Sequence, residues 1–181
     1  HSKGGTLAVY AAMCLEEKLR KKLKKVYAFD APGFPEDISE KLGYLAVKDR
    51  LEAYVPESCV IGNLMKPPFE KIVVKGIGKG VYQYDMFNWE LTATGISMAE
   101  STNLFSTELS AKVNNWIEGI PLEDRERVVC ELFDVFSKNG ITHITDLMHM
   151  DLKKIVGIIK CATLLSSENR TLLGIIIKEL R

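Results

Sequence analysis

Apolar residues recur every three or four positions between residues 6 and 25. This period is typical of an amphipathic helix with one buried face. The next run, Val26–Phe29, is apolar without a helical period and ends at the turn sequence Asp-Ala-Pro-Gly of residues 30–33. It is therefore predicted to be a short buried strand. A helix that leads directly into a buried strand is typical of a βαβ unit in a parallel sheet.

The rest of the chain divides into a mixed half and a helical half. In the first half the pattern predicts a short helix at 35–43, strands at 51–55 and 72–74, and a further pair of strands at 81–84 and 87–91. In the second half it predicts helices at about 104–117, 122–136, 151–165 and 167–180. The expected fold class is α/β, with part of a parallel sheet in residues 1–102 and a helical region, as a cap, lid or appended bundle, in residues 103–181.

Composition adds few constraints on function. Apolar residues make up 46% of the 181 positions, and 24 lysines and arginines balance 24 aspartates and glutamates. This balance gives no reason to expect a nucleic-acid partner, and no apolar stretch is long enough for a transmembrane segment. The four cysteines are scattered singly, which favours reduced thiols, a cytoplasmic location and no metal or cofactor.

Basic residues are concentrated at the end of the first predicted helix. Six of the 24 lysines and arginines lie in residues 18–25. Cations at a helix C-terminus complement the helix dipole, so we expect a solvated helix end. A patch for an anionic surface is the alternative.

The chain starts with a motif that suggests nucleophilic chemistry. A serine hydroxyl is a poor nucleophile, and hydrolases expose it on a sharp strand-to-helix turn with small residues around it. Ser2-Lys3-Gly4 supplies the serine and the second glycine of G-x-S-x-G. Ser2 is the expected nucleophile, and the backbone N–H of Lys3 is the expected oxyanion donor.

Four blocks carry a family resemblance. Residues 1–12 (His-Ser-Lys-Gly-Gly-Thr-Leu-Ala-Val-Tyr-Ala-Ala) and 25–34 (Lys-Val-Tyr-Ala-Phe-Asp-Ala-Pro-Gly-Phe), with similar segments at 55–62 and 85–89, resemble the Mbeg-like, lipase-related bacterial proteins, an α/β-hydrolase family akin to class 3 lipases. The resemblance implies an α/β-hydrolase fold of which this chain supplies the part from the nucleophile elbow onward. It also implies esterase-like or lipase-like chemistry on a small ester or lipid substrate.

A general base is the missing partner of the serine. The resemblance implies a His-Asp pair before the Phe-x-Trp segment, where this chain has Tyr84-Asp85. Tyrosine is a poor base at neutral pH because its unperturbed pKa is about 10. His1 is on the elbow itself, directly before Ser2, and its side chain is expected to point away from the serine. His143 and His149 lie in the helical half, where surface or cap positions are expected.

The acid also has more than one candidate. Asp30 follows the strand after the elbow helix, where a carboxylate can orient a base, and it can equally cap the turn at 30–33. The resemblance puts the acid of class 3 lipases at Ala53-Tyr54, where this chain has no carboxylate. Glu57 and then Asp85 are the remaining candidates.

Three functions follow from these residues. The first is a serine hydrolase of carboxylic esters that acts through Ser2. The second is a catalytically degenerate hydrolase-fold binding protein, with Tyr84 in place of the base. The third is a separate interaction domain formed by the C-terminal helices.

Overall fold

The structure is a computed structural model. It describes residues 1–65, 67–78, 80–143, 146, 151–162, 165–167, 169–171 and 174. The chain forms two compact units, residues 1–111 and 112–181.

The first unit is an α/β structure built on a parallel sheet. Its three strands are β1 (Val26–Phe29), β2 (Leu51–Pro56) and β3 (Lys71–Val74), in the order β1-β2-β3. All of their pairings are parallel, with Phe29 opposite Tyr54 and Tyr54 opposite Ile72. The predicted strands at 26–29, 51–55 and 72–74 are confirmed within one residue at each end. Their carboxyl ends therefore lie at one edge of the sheet.

The two faces of the sheet differ in character. One face packs with the first helix in a core made mainly of small and branched side chains, which include Val9, Ala12, Val26, Ala28 and Ala53. The other face carries a row of stacked rings formed by Tyr27, Phe29 and Tyr54. Side chains alternate between the faces because successive residues of a strand point in opposite directions.

The single helix predicted at 6–25 is wrong, because the structure has two helices there. The first is α1 (Lys3–Met13) and the second is the four-residue α2 (Glu17–Arg20). The chain is extended at Glu16, and the Arg20 guanidinium donates to the Leu15 carbonyl at 2.6 Å. This side-chain donor satisfies a carbonyl at the break, where the helical hydrogen bonds are lost.

Two further predicted elements are also wrong. Residues 35–41 form turns, and the only helix there is α3 (Leu42–Leu45). The Asp37 side chain accepts from the Ser39 N–H at 2.9 Å, a local bond that competes with helix formation.

The strand pair predicted at 81–84 and 87–91 is replaced by two 3₁₀ turns, Gly80–Tyr84 and Met86–Asn88. The antiparallel pair comes later, as β4 (Leu91–Thr92) and β5 (Gly95–Ile96).

Helices account for the described secondary structure beyond residue 100. They are α4 (Leu104–Glu118), α5 (Arg125–Lys138), preceded by a 3₁₀ turn at Leu122–Asp124, and α6 (Leu152–Ala162). The second unit has its own core, in which the buried residues are Leu132, Val135, Ile141, Ile158 and Leu165. The helix predicted at 167–180 lies largely outside the described residues. In the described part of the chain, no helix combines the length and hydrophobicity needed to cross a membrane.

Candidate active site

Ser2 has a strained backbone at the junction between sheet and helix. Its φ is 53° and its ψ is −133°, a region that residues with a side chain rarely occupy. The Ser2 N–H donates to the Phe29 carbonyl at the end of β1, at 2.8 Å. Ser2 therefore lies on a sharp turn at the sheet edge where the strands end, directly before α1.

The Ser2 hydroxyl is not used to cap the helix that follows it. No side-chain cap hydrogen bond is made at Ser2, and the residue is half-buried. The Lys3 N–H belongs to the first turn of α1, where backbone donors have no acceptor within the helix. A carbonyl oxygen held near Ser2 could therefore accept from this amide.

Close packing between α1 and β1 depends on Gly5. A Cβ on Gly5 would lie 2.7 Å from the Cβ of Ala31 and 3.3 Å from the Cα of Ala28. A Cβ on Gly4 would meet nothing within 4 Å. The Thr6 hydroxyl donates to the Pro32 carbonyl at 2.7 Å. These contacts fix the helix start against the turn that follows β1.

Asp30 is a buried carboxylate directly after β1. The residue is 1% exposed and has a φ of 44°. Its Oδ1 accepts from the Gly62 N–H at 2.9 Å and from the Cys59 thiol at 3.2 Å. Burial raises the pKa of Asp30, and the hydrogen bonds from Cys59 and Gly62 and the charge of Lys71 partly oppose this rise.

The buried Cys59 and the half-buried Lys71 complete the cluster around Asp30. Burial, and then the charge of Asp30, raise the pKa of the Cys59 thiol far above its usual range. Burial lowers the pKa of Lys71, whose Nζ donates to the Asn63 Oδ1 at 2.6 Å. Since the thiolate is the nucleophilic form, Cys59 is unsuited to nucleophilic chemistry. Its thiol acts instead as a hydrogen-bond donor to Asp30.

Tyr84 lies against the elbow residue His1. The two rings meet edge to face, with centroids 4.7 Å apart and planes inclined by 63°. Tyr84 therefore contacts the residue directly before Ser2. The contacts described for Asp30 are with Cys59 and Gly62 rather than with a histidine or Tyr84.

Gln83 fixes the segment that carries Tyr84, and sequence reasoning missed it. Its amide accepts from the Ser58 N–H at 2.8 Å and donates to the carbonyls of Gly76 and Gly78, each at 3.0 Å. The backbone carbonyl of Gln83 accepts a hydrogen bond from the Trp89 indole N–H at 2.8 Å. No period or motif signals such a hub, because its partners lie in separate loops.

The other candidate acids, Glu57 and Asp85, make hydrogen bonds with backbone groups of other residues. The carbonyl of Glu57 accepts from the Asn103 N–H at 2.7 Å, and the Glu57 N–H donates to the Val74 carbonyl at 3.0 Å. The exposed Asp85 caps the 3₁₀ turn Met86–Asn88, accepting from the Phe87 N–H at 3.0 Å.

The remaining histidines belong to the second unit. The exposed His143 donates its backbone N–H to Asp146 at 2.8 Å. His149 lies outside the described residues. Within the part of the chain that the structure describes, no three His, Cys, Asp or Glu side chains are grouped as a metal site.

Together, fold and site define an α/β protein with a strained serine at a strand-to-helix turn. Comparison with known families is more specific. Residues 1–134 match the Mbeg1-like family, and the chain belongs to that family. No curated protein and no solved structure matches the chain.

Proposed function

We propose that this Mbeg1-like protein is α/β-hydrolase-like and that it hydrolyses carboxylic esters, including lipid esters, through Ser2. The observation that carries the proposal is the backbone of Ser2, with its φ of 53° at the start of α1. A serine in this position presents its hydroxyl outward and places it beside the amides of the first helical turn. The family match and the tight packing at Gly5 support the same interpretation.

The reaction proceeds in two steps. The Ser2 Oγ attacks the ester carbonyl, and the Lys3 N–H donates to the oxygen that becomes negative in the tetrahedral intermediate. Collapse of this intermediate expels the alcohol and leaves an acyl group on Ser2, which water then removes. The hydroxyl proton must pass to a base, which returns it to the departing alkoxide to give the alcohol. Tyr84 occupies the position where the family resemblance implies this base.

The described contacts of Asp30 differ from both roles that the sequence leaves open, the orientation of a base and the cap of the turn at 30–33. A carboxylate that orients a base must be within hydrogen-bond reach of that base. The Oδ1 of Asp30 binds the loop after β2 at Gly62 and Cys59 instead. Asp30 therefore joins the turn after β1 to the loop after β2.

Ligand binding without turnover is the second candidate, and Tyr84 is the observation that favours it. The ring of Tyr84 packs on His1, and a neutral phenol removes a proton from serine poorly. In this case the turn at Ser2 has only a structural role, and the site binds an ester or acid without cleaving it.

Ester hydrolysis by the full-length protein separates the two candidates. We expect turnover of a p-nitrophenyl ester that Ser2→Ala abolishes and Ser101→Ala, at an exposed serine, leaves unchanged. Tyr84→His supplies a better base and is expected to raise kcat by about a hundredfold. No turnover in the folded wild-type protein, with turnover in Tyr84→His, would favour binding without catalysis. No turnover in either would contradict the proposed hydrolase.

A further inference from the structure

A cluster of exposed cations lies between α1 and β1. Lys18, Lys22 and Lys24 are exposed, and Leu19 beside them is 49% exposed. These four residues are here called the basic turn. Leu23, between them in sequence, points inward and packs against the core of the first unit. The basic turn thus presents three cations and one large apolar side chain to solvent.

The helix dipole does not explain these lysines. The helix α1 ends at Met13 with no basic residue in its last turn. Lys18 lies in the four-residue α2, which is too short to have a substantial dipole, and Lys22 and Lys24 follow its end at Arg20. The solvated end of a long helix, expected from the sequence, is therefore not what the structure has.

Ion pairing does not explain them either. The neighbouring Lys21 pairs with Glu17 at 2.6 Å, and Lys25 pairs with Glu52. Lys18, Lys22 and Lys24 have no acidic partner among the residues that the structure describes. Three positive charges are consequently left uncompensated within seven residues of sequence.

Two arginine side chains hold the backbone around the basic turn by hydrogen bonds to carbonyls. Arg20 donates to the Leu15 carbonyl at 2.6 Å, and Arg50 donates to the Arg20 carbonyl at 2.6 Å. Both guanidinium groups are therefore used inside the unit. The lysines and Leu19 are presented on a fixed support, which lowers the entropic cost of binding.

We propose that the basic turn docks the protein on a bilayer surface that contains anionic lipids. Clustered lysines attract anionic headgroups, and an apolar side chain among them enters the interface between headgroups and acyl chains. Leu19 favours a bilayer over a nucleic acid, because phosphate contacts use charges and need no apolar side chain. The chain as a whole is neutral, so the attraction arises from this local surface.

The basic turn and Ser2 lie at opposite ends of β1. Lys24 comes just before β1 begins at Val26, while the Ser2 N–H binds the carbonyl of Phe29 at its end. Docking through the basic turn therefore leaves Ser2 uncovered. The inference is independent of the proposed function, and its test does not depend on activity.

Vesicle cosedimentation of the full-length protein tests the proposal. The probe is vesicles of phosphatidylcholine and phosphatidylserine in equal amounts, with phosphatidylcholine alone for comparison. We expect binding only to the anionic vesicles, weakened by salt. Replacing Lys18, Lys22 and Lys24 with glutamine should lower partitioning roughly a hundredfold. Glutamine at the scattered exposed Lys75, Lys138 and Lys153 removes the same charge and should leave binding nearly unchanged.

Leu19→Gln separates a bilayer from other polyanions. It keeps every charge, and we expect it to weaken vesicle binding severalfold because the apolar contact is lost. Equal binding to both kinds of vesicle, or equal loss in the two triple variants, would overturn the proposal. Binding to poly(U) RNA without binding to vesicles would overturn it in favour of a nucleic-acid site.

Discussion

Among single residues, Asp30 shows how burial makes a charged side chain costly. Its carboxylate is buried, and burial raises its pKa. A carboxyl group with a raised folded-state pKa binds a proton more tightly in the folded than in the unfolded chain. Its effect on stability is therefore favourable at low pH. That contribution is lost as the pH rises from the unfolded pKa, about 3.9, through the higher folded one.

Asp30→Asn should remove this pH dependence. The asparagine Oδ1 can still accept from Gly62 and Cys59, while the buried charge is gone. We expect the free energy of unfolding of the wild type, relative to the variant, to fall as the pH rises above about 4. Urea denaturation of both proteins over a pH series measures this difference.

The same variant tests the role of Asp30 at the site. We expect its rate of ester hydrolysis to stay within about threefold of wild type, because the described contacts of Asp30 hold a loop rather than a base. A loss of about a thousandfold would instead return Asp30 to the role of triad acid.

The cysteines should differ sharply in reactivity. Cys14 and Cys130 are exposed, whereas Cys59 is fully buried and burial raises the pKa of its thiol. Because only the thiolate reacts, we expect iodoacetamide to modify Cys14 and Cys130 in the folded protein and Cys59 only after denaturation. Peptide mass spectrometry measures the extent of modification at each cysteine. Modification of Cys59 as early as of Cys14 and Cys130 would contradict its burial.

At the scale of elements, the contact between α1 and β1 depends on one glycine. Gly5→Ala would drive a methyl group to 2.7 Å from Ala31. We expect this variant to lose about 1–3 kcal/mol of stability, as overpacked sites do. Gly4→Ala, one position earlier in α1, meets open space and should be neutral or slightly stabilising. Thermal unfolding of the Gly5→Ala and Gly4→Ala variants compares their stabilities. Equal melting temperatures would contradict the close packing at Gly5.

Elements with strong local signals could be predicted from the sequence. The runs that became β1, β2 and β3 are short, apolar and bounded by turn residues, and each forms where expected. Residues 35–41 and 80–88 could not be predicted in this way. There the side chains of Asp37, Gln83 and Asp85 bind backbone groups and replace regular structure.

The candidate site was predictable only in part, for a related reason. The serine and its glycines form a contiguous motif, and the strained turn follows from it. The bonds from Cys59 and Gly62 to Asp30 join residues about 30 positions apart in sequence, and the contact of Tyr84 with His1 spans most of the first unit. No periodicity encodes such contacts, because they depend on how the loops close over the sheet edge.

At the scale of the whole molecule, the chain has an α/β unit and a helical unit. The sequence predicts a boundary between residues 102 and 103, and the compact units divide between residues 111 and 112, inside α4. Hydrogen bonds explain why the start of α4 belongs to the first unit. The backbone N–H of Asn103 donates to the Glu57 carbonyl at 2.7 Å, and the side-chain amide of Asn103 donates to the Ser58 hydroxyl at 2.8 Å.

We propose that Ser2 is a nucleophile, and covalent labelling of the full-length protein detects a nucleophilic serine directly. We expect a fluorophosphonate to form an adduct that peptide mass spectrometry locates on Ser2. The adduct should be absent from Ser2→Ala and present in Ser101→Ala. A folded full-length protein that carries no adduct on Ser2, or one that is labelled equally after Ser2→Ala, would contradict the claim.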